Sequence, residues 1–364
     1  MRILIAGDWH SEVHEEGVSQ AFRTLGHETI EFPWHRYFKP ASDSLWERLL
    51  ARPFRKAQNK YLAGPLIARL NNELLDEVRI SKPDVVFVYR GTHVLARTLR
   101  AIKRLHPAVM LIGYNNDDPF APHYPGWLWR HFLTGLPEYD LMLAYRWRNV
   151  DDFYRAGAKQ VKLLRSWFIP ERNHPVQLAA AERLRYGCDV VFIGHYEDDG
   201  RRGFLEEVVR QGWTLKLYGP GYDWDPVIRD SPELREQVPV KLVWGEEYNK
   251  ALCGAKIALC FLSKLNRDTY TRRCFEIPAT GTLMLSEYTD DLAGLFRAGE
   301  EADFFRSQDE MVEKLKQYLA DDALRTRVAQ AGRDCVVSHG HDVVSRMGQV
   351  LQWVDEMRGN IAAA

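Results

Sequence analysis

Short apolar, β-branched runs alternate along almost the whole chain with stretches whose apolar positions recur every three to four residues. Strand-length runs separated by helical periods are the pattern of right-handed βαβ units, hence of parallel sheets. In the first half, Arg2–Ala6, Glu28–Phe32, Asp84–Tyr89, Val109–Tyr114 and Leu141–Ala144 are expected strands, with a short one near Val161–Leu164. After Pro65, Leu66, Leu70, Leu74 and Val78 recur at four-residue spacing and put one apolar stripe on a helix that stops before Pro83. The pattern pauses between Ser166 and Gly187, a stretch with Pro170 and Pro175 and little periodicity. It then restarts, with strands expected at Asp189–Ile193, Thr214–Tyr218, Lys241–Trp244, Ile257–Leu262 and Thr282–Leu285, and helices around Phe204–Gln211, Tyr248–Gly254 and Arg272–Thr280. Beyond Gln308 the chain reads as helix almost to its end.

The expectation is therefore α/β, with two Rossmann-like doubly wound domains. They are expected at 1–168 and 188–340, joined by a linker at 169–187 and followed by a C-terminal helix and tail at 341–364 that return towards the first domain. A length of 364 residues fits two cores better than one. No apolar run approaches the roughly 20 residues of a spanning helix, and the opening run Ile3–Gly7 is too short for a signal-peptide core. The sequence thus predicts a cytoplasmic enzyme.

Net charge of −1 gives no global attraction to nucleic acid, and no nucleic-acid recognition motif is present. Basic residues are concentrated locally: Arg48, Arg52, Arg55, Lys56, Lys60 and Arg69 have no acidic residue among them, and Trp46, Phe54 and Tyr61 are interleaved. Such a stretch at 46–69 fits a solvated helix face, or peripheral contact with the inner membrane face or a phosphate-bearing acceptor. Cys188, Cys253, Cys260, Cys274 and Cys335 are widely spaced, with no C-x-x-C, and read as reduced thiols rather than a disulfide frame or zinc site.

Candidate chemistry gathers at expected strand ends. The first strand leads into Gly7-Asp8-Trp9-His10 without a G-x-G-x-x-G, which argues against a nicotinamide dehydrogenase. Asp8, His10 and His14 there could face an acceptor or form an ordinary turn. Tyr114-Asn-Asn-Asp117-Asp118-Pro119 closes another strand, where Asp117 or Asp118, helped by His123, could orient or deprotonate an acceptor hydroxyl.

In the second half, Asp268-Thr-Tyr-Thr271-Arg272-Arg273-Cys-Phe-Glu276 runs into a helix ended by Gly281. A helix start near Thr271, with Arg272 and Arg273 beside it, suits a diphosphate, and a carboxylate one turn in, Glu276, suits two ribose hydroxyls. Gly194 and His195 end an earlier strand, and Arg201 or Arg202 at the next helix start could also neutralise a diphosphate, with no essential cation. Tyr218-Gly-Pro-Gly221 could border a nucleotide base. Glu287–Asp291 succeeds a later strand, with Asp290 a candidate helix cap.

Arg273-Cys-Phe-Glu-Ile-Pro-Ala-Thr-Gly281, followed by Leu283-Met-Leu-Ser-Glu-Tyr-Thr-Asp-Asp291, resembles the C-terminal domain of the CgeB-type glycosyltransferases, named for a spore-maturation protein. The resemblance runs from about Asp189 to Leu351, and the Asn-Asn-Asp-Asp-Pro segment of the first half is similar to that group as well. These proteins are similar to the retaining family-4 GT-B enzymes, whose donor site carries two acidic residues with seven others between them. Asp268 and Glu276 stand at that separation. The resemblance gives Glu276 the ribose, Asp268 the donor sugar, and Arg201 or Arg202 the diphosphate, in a cleft between the domains. Asp268 stands where family 4 usually has Glu, and Pro278 falls inside the helix.

The resemblance thus implies a glycosyltransferase using a UDP-, GDP- or dTDP-sugar without further cofactor, and retaining its configuration. The acceptor stays open among glycan, lipid-linked, protein and small-molecule classes. A true base at Asp117 or Asp118 would instead mean inversion. The alternatives are a nucleotide-sugar 2-epimerase and a non-catalytic nucleotide-sugar-binding scaffold.

Overall fold

The structure, a computed structural model, describes residues 1–39 and 51–363, so Trp46 and Arg48 of the basic stretch lie outside the described residues. Two compact units are present: Met1–Arg165 with Val343–Ala364, and Ser166–Asp342.

In the first unit, strands β1 (Arg2–Gly7), β2 (Glu28–Pro33), β3 (Val85–Tyr89), β4 (Met110–Asn115), β5 (Leu141–Ala144) and β6 (Val161–Leu163) form one parallel sheet in the order β2-β1-β3-β4-β5-β6. The intervening helices are α1 (Gly17–Thr24), α2 (Arg52–Tyr61), α3 (Pro65–Ser81), α4 (Ala96–Leu105), α5 (Arg130–Gly135) and α6 (Trp147–Arg155). Every residue of β3 is buried, as both faces of a central parallel strand are covered by helices. The stripe read on α3 packs down as Ile67, Leu70, Leu74 and Val78, all buried, with Leu66 at its rim. Burial of each such side chain contributes about 1.5–3 kcal/mol.

The second unit holds α7 (Ala180–Tyr186), β7 (Cys188–Ile193), α8 (Arg201–Arg210), β8 (Leu215–Tyr218), α9 (Gly221–Ile228), α10 (Gly245–Cys253), β9 (Ala255–Cys260), α11 (Arg273–Ala279), β10 (Leu283–Glu287), α12 (Asp290–Ala293), β11 (Asp303–Phe305), α13 (Gln308–Ala320) and α14 (Asp322–Ser338). Its parallel sheet runs β11-β10-β9-β7-β8. The last helix, α15 (Val343–Ala363), packs on α1 in the first unit, where the Arg358 guanidinium donates to the Asp84 carbonyl at 2.9 Å.

Three local expectations change. Lys241–Trp244 is not a strand: only Lys241 bridges to Tyr218, and Lys241, Leu242 and Trp244 are exposed, so an extended run there would bury little. β11, only three residues long, is an edge strand that the periodicity missed. No separate linker exists at 169–187, because the segment is built into the second unit: Phe168 N–H bonds the His341 carbonyl at 3.1 Å, and Ser166 N–H bonds the Tyr270 hydroxyl at 2.9 Å. The five cysteines are free thiols.

Strand order fixes where a ligand can sit. In an open parallel sheet the crevice opens at the carboxyl ends of two adjacent strands whose connections leave in opposite directions. That switch falls between β1 and β3 in the first unit and between β7 and β9 in the second.

Candidate functional site

The second unit's switch point is lined by the residues after β7 and by the start of α11. Gly194 closes β7, and its carbonyl accepts the Trp224 indole N–H at 2.8 Å. A methyl group at Gly194 would stand 2.9 Å from the Phe192 ring and 3.5 Å from the guanidinium carbon of Arg273, so the absent side chain lets that guanidinium lie against the strand end. Arg273 Nε is enclosed and has no hydrogen-bond partner within the described residues. Burial works against its charge, but Cys260, Tyr248 and Glu276 outweigh it and hold the group protonated.

One turn into α11, Glu276 is buried. Its Oε2 accepts the Tyr248 hydroxyl at 2.7 Å, and its Oε1 meets Arg272 Nε at 2.9 Å. Burial first, and the Glu276 charge second, push the Tyr248 phenol well above its ordinary range, so it stays a donor. Each carboxylate oxygen keeps a lone pair, and these suffice for two further donors such as vicinal hydroxyls. The N–H groups of Cys274, Phe275 and Glu276 are turned into the helix on the Thr271 and Arg272 carbonyls, which leaves anion binding here chiefly to side chains. Asp268, half-buried, is anchored by its N–H to the Ser263 carbonyl at 2.8 Å, just after Arg267 with its left-handed φ of 52°. Gly281 ends the turn after α11 at φ 76°, a conformation that disfavours any side chain.

Arg201 and Arg202 part company. Arg201 is buried and already committed: it forms a bidentate pair with Asp199 at 2.6 and 2.8 Å and donates to the His195 carbonyl at 2.7 Å. It braces the loop after β7 and has little left for a diphosphate, contrary to the expectation from its place at a helix start. Arg202 is half-exposed and pairs with Glu206 at 2.7 Å. His195 is exposed and bonded to Asp223 at 2.8 Å. Tyr218 contributes its carbonyl to Gly194 N–H at 2.9 Å, and burial pushes its phenol up to about 12. The cap of α12 is Thr289, not Asp290: its Oγ1 accepts Leu292 N–H at 3.1 Å.

In the first unit, Asp8 and His10 flank Trp9, whose φ of 57° folds the chain back on itself. Asp8 Oδ2 and His10 Nε2 stand 3.4 Å apart. His35, from the turn after β2, stacks on His10 with ring centroids 5.1 Å apart and points Nδ1 at the Asp8 carbonyl. The buried Glu15 carboxylate accepts Asp8 N–H at 2.8 Å, and Gly7 is required there because a Cβ would fall 2.4 Å from Glu15 Cγ. Burial raises the Asp8 carboxyl, against the pull of His10, Arg90 and His35. Just after β3, Arg90 has φ 67° and reaches across to Asp117 at 2.9 Å.

Of the adjacent aspartates, Asp118 is a structural station. It is fully buried, and its Oδ1 accepts Phe120 N–H at 3.1 Å and the Asn149 amide at 3.0 Å, so it cannot meet an acceptor as expected from sequence. Asp117 is the partly exposed member of the pair. His123 is exposed and its ring lies tilted against Tyr124, 4.0 Å between centroids.

Sequence reasoning missed Tyr248, His35, Glu15 and Arg90. Most are distant in sequence from the residue they serve, and it is the folding of the parallel sheets that brings them together.

The two parallel-sheet units, each with a switch point, have the fold found in GT-B glycosyltransferases. Residues 201–352 match the family described as glycosyl transferase-like. Among solved structures, Anabaena HepE in complex with UDP-glucose superposes at TM-score 0.65 and 11% identity, covering 98% of this chain and 100% of that one. Sucrose-phosphate synthase from Thermosynechococcus elongatus gives 0.67 and 14%, covering 100% and 99%. Trehalose-6-phosphate synthase from Burkholderia multivorans gives 0.63 and 12%, covering 100% and 99%. At such identities the likeness is one of fold. No curated protein matches the sequence. Among the described residues no helix is long and apolar enough to cross a membrane.

Proposed function

We propose that the protein transfers a sugar from a nucleoside-diphosphate sugar, held by its second unit, to a hydroxyl acceptor met by the first. The observation that carries this is the pairing at the β7/β9 switch point: an Arg273 guanidinium lies against the bare backbone of Gly194, and the buried Glu276 carboxylate comes one turn later. A guanidinium with an unused donor suits a diphosphate, and a carboxylate braced by Tyr248 and Arg272 suits ribose hydroxyls. Because the diphosphate charge is met by arginine, donor binding needs no cation. UDP is the first nucleotide to test, since HepE was solved with UDP-glucose. Asp268 is assigned to the donor sugar, and the CgeB-type resemblance supports this together with retention of configuration.

On the acceptor side the reading rests on Asp8 and His10, with Asp117 held by Arg90 as a positioning group. Glycan, lipid-linked, protein and small-molecule acceptors all present the hydroxyl this requires. The basic residues of α2, with Phe54 and Tyr61 exposed beside them, support peripheral contact with an anionic membrane surface.

The test is a thermal-shift series with UDP, GDP, dTDP, CMP and their sugar conjugates, without metal, on wild type and Glu276→Ala. Stabilisation of the wild type by about 2.7 kcal/mol at a hundredfold excess over Kd is expected for one nucleotide, and not for the variant. No shift from any nucleotide on folded protein refutes the donor assignment.

A further inference from the structure

The three side chains at the carboxyl end of β1 have a use that sugar transfer does not require. Asp8, His10 and His35 each offer one donor atom, and the three atoms lie within 4.8 Å of one another. We propose that they bind a single divalent transition-metal ion of the zinc type, through the Asp8 carboxylate and the two imidazoles.

Four observations lead there. First, the 3.4 Å between Asp8 Oδ2 and His10 Nε2 is close to the edge of a tetrahedral zinc site, where ligands about 2.0–2.1 Å from the ion stand about 3.3 Å apart. Second, His35 directs Nδ1 at the Asp8 backbone carbonyl, so that nitrogen carries the proton and Nε2 keeps a free lone pair. A ring N–H fixed on a backbone carbonyl is the usual outer support of a metal-bound imidazole. Third, His10 is the only group within hydrogen-bonding or ion-pairing reach of the Asp8 carboxylate among the described residues. Fourth, the scaffold is stiff where it needs to be: Glu15 pins Asp8 N–H, Gly7 makes room for Glu15, and His35 stands in the short helical turn Trp34–Phe38. His10, whose side chain is 67% exposed, is free to swing the remaining distance.

One carboxylate and two imidazoles form a borderline donor set that favours zinc, cobalt or nickel over magnesium or calcium. Three protein ligands leave a coordination position open to water or an acceptor hydroxyl, the arrangement of catalytic rather than structural sites. The site belongs to the first unit and makes no use of the arginines assigned to the diphosphate, so it stands or falls independently of the donor reading.

The full-length protein, stripped with a chelator, is titrated calorimetrically with zinc chloride alone and then examined as its cobalt(II) form. One equivalent of Zn2+ is expected on the wild type and on His174→Ala, an exposed histidine of the other unit. Loss of outer support alone weakens metal sites by about 10–100-fold, so His10→Ala and His35→Ala should weaken binding by about a hundredfold or more. Asp8→Asn, which preserves shape, should do the same while leaving the UDP thermal shift and circular dichroism of the wild type, which separates metal loss from misfolding and from failure of the donor site. The absence of stoichiometric binding overturns the proposal. So do equal affinities in the histidine variants and thiolate charge-transfer bands in the cobalt form, which would move the metal to cysteine.

Discussion

Glu276 has two roles that one mutant cannot separate and two can. Its carboxylate accepts the Tyr248 hydroxyl at 2.7 Å and meets Arg272 at 2.9 Å, and it is also the assigned ribose ligand. Glu276→Ala strips the partner from both. The Arg272 side chain is 28% exposed, although its Nε is enclosed, whereas the Tyr248 hydroxyl loses its acceptor. An orphaned donor of this kind costs about 1–3 kcal/mol, and with part of the ring near solvent the low end, about 1 kcal/mol, applies. In a unit of this size that lowers Tm by about 2–4 °C. Hydrogen bonds from ribose to a charged acceptor contribute about 1.5–3 kcal/mol, so calorimetric titration with UDP should show Kd raised about 10- to 150-fold. Adding Tyr248→Phe removes the orphan, because deleting both partners is nearly neutral. Tm should therefore return towards wild type while Kd stays high. If affinity recovers together with Tm in the double variant, or if Glu276→Ala binds UDP within about twofold of wild type, Glu276 is only a brace and the ribose assignment is wrong.

The remaining predictions concern the supports of the two sites. Arg201→Ala breaks a buried ion pair and should cost about 3–5 kcal/mol in urea unfolding, with UDP affinity unchanged under native conditions; Arg273→Ala should do the reverse, weakening UDP far more than uridine. Gly194→Ala places a methyl 2.9 Å from the Phe192 ring and 3.5 Å from the Arg273 guanidinium, so UDP binding should fall, and an unaltered Kd would show that the close approach is idle. Burial pulls His93 down to about 3, with Nδ1 paired to Thr92 and Nε2 to Asn59. The unfolded chain, with an ordinary value of about 6.5, binds the extra proton throughout the window between those two values, so His93 makes stability fall on acidification below about pH 6.5, by up to about 1.4 kcal/mol per unit. His93→Gln should flatten the loss between pH 7 and pH 4.5 by that one-proton slope, and an unchanged acid limb would remove His93 from the account.

How much of this was legible beforehand depends on the physical origin of each feature. Fully buried strands such as Val85–Tyr89 announce themselves because burial on both faces demands an unbroken apolar run. Asp303–Phe305 did not, since three residues at a sheet edge carry no period. Gly194, Arg273 and Glu276 could be singled out because their chemistry sits at strand and helix ends, which local pattern reveals. Whether an arginine at a helix start faces a ligand or a neighbour is decided by contacts that pattern does not encode. Arg201 closes on Asp199, two residues before it, and on a carbonyl six residues back. Tyr248 reaches Glu276 across 28 residues and His35 reaches Asp8 across 27, distances over which only the finished sheet sets the register.

The first unit is discontinuous in the chain, and this sets a timetable for biosynthesis. Its sheet is encoded by Met1–Arg165, but the helix that covers α1 is encoded by the last stretch, from Val343 onwards. Ser166–Asp342 begins and ends at one place, with Phe168 bridged to Asp342, so it has the closed ends of an inserted domain. A chain leaving the ribosome can therefore complete its second unit while the first still shows an uncovered apolar flank. The Met1–Arg165 part has to be kept from aggregating until the helix that starts at Val343 has been made.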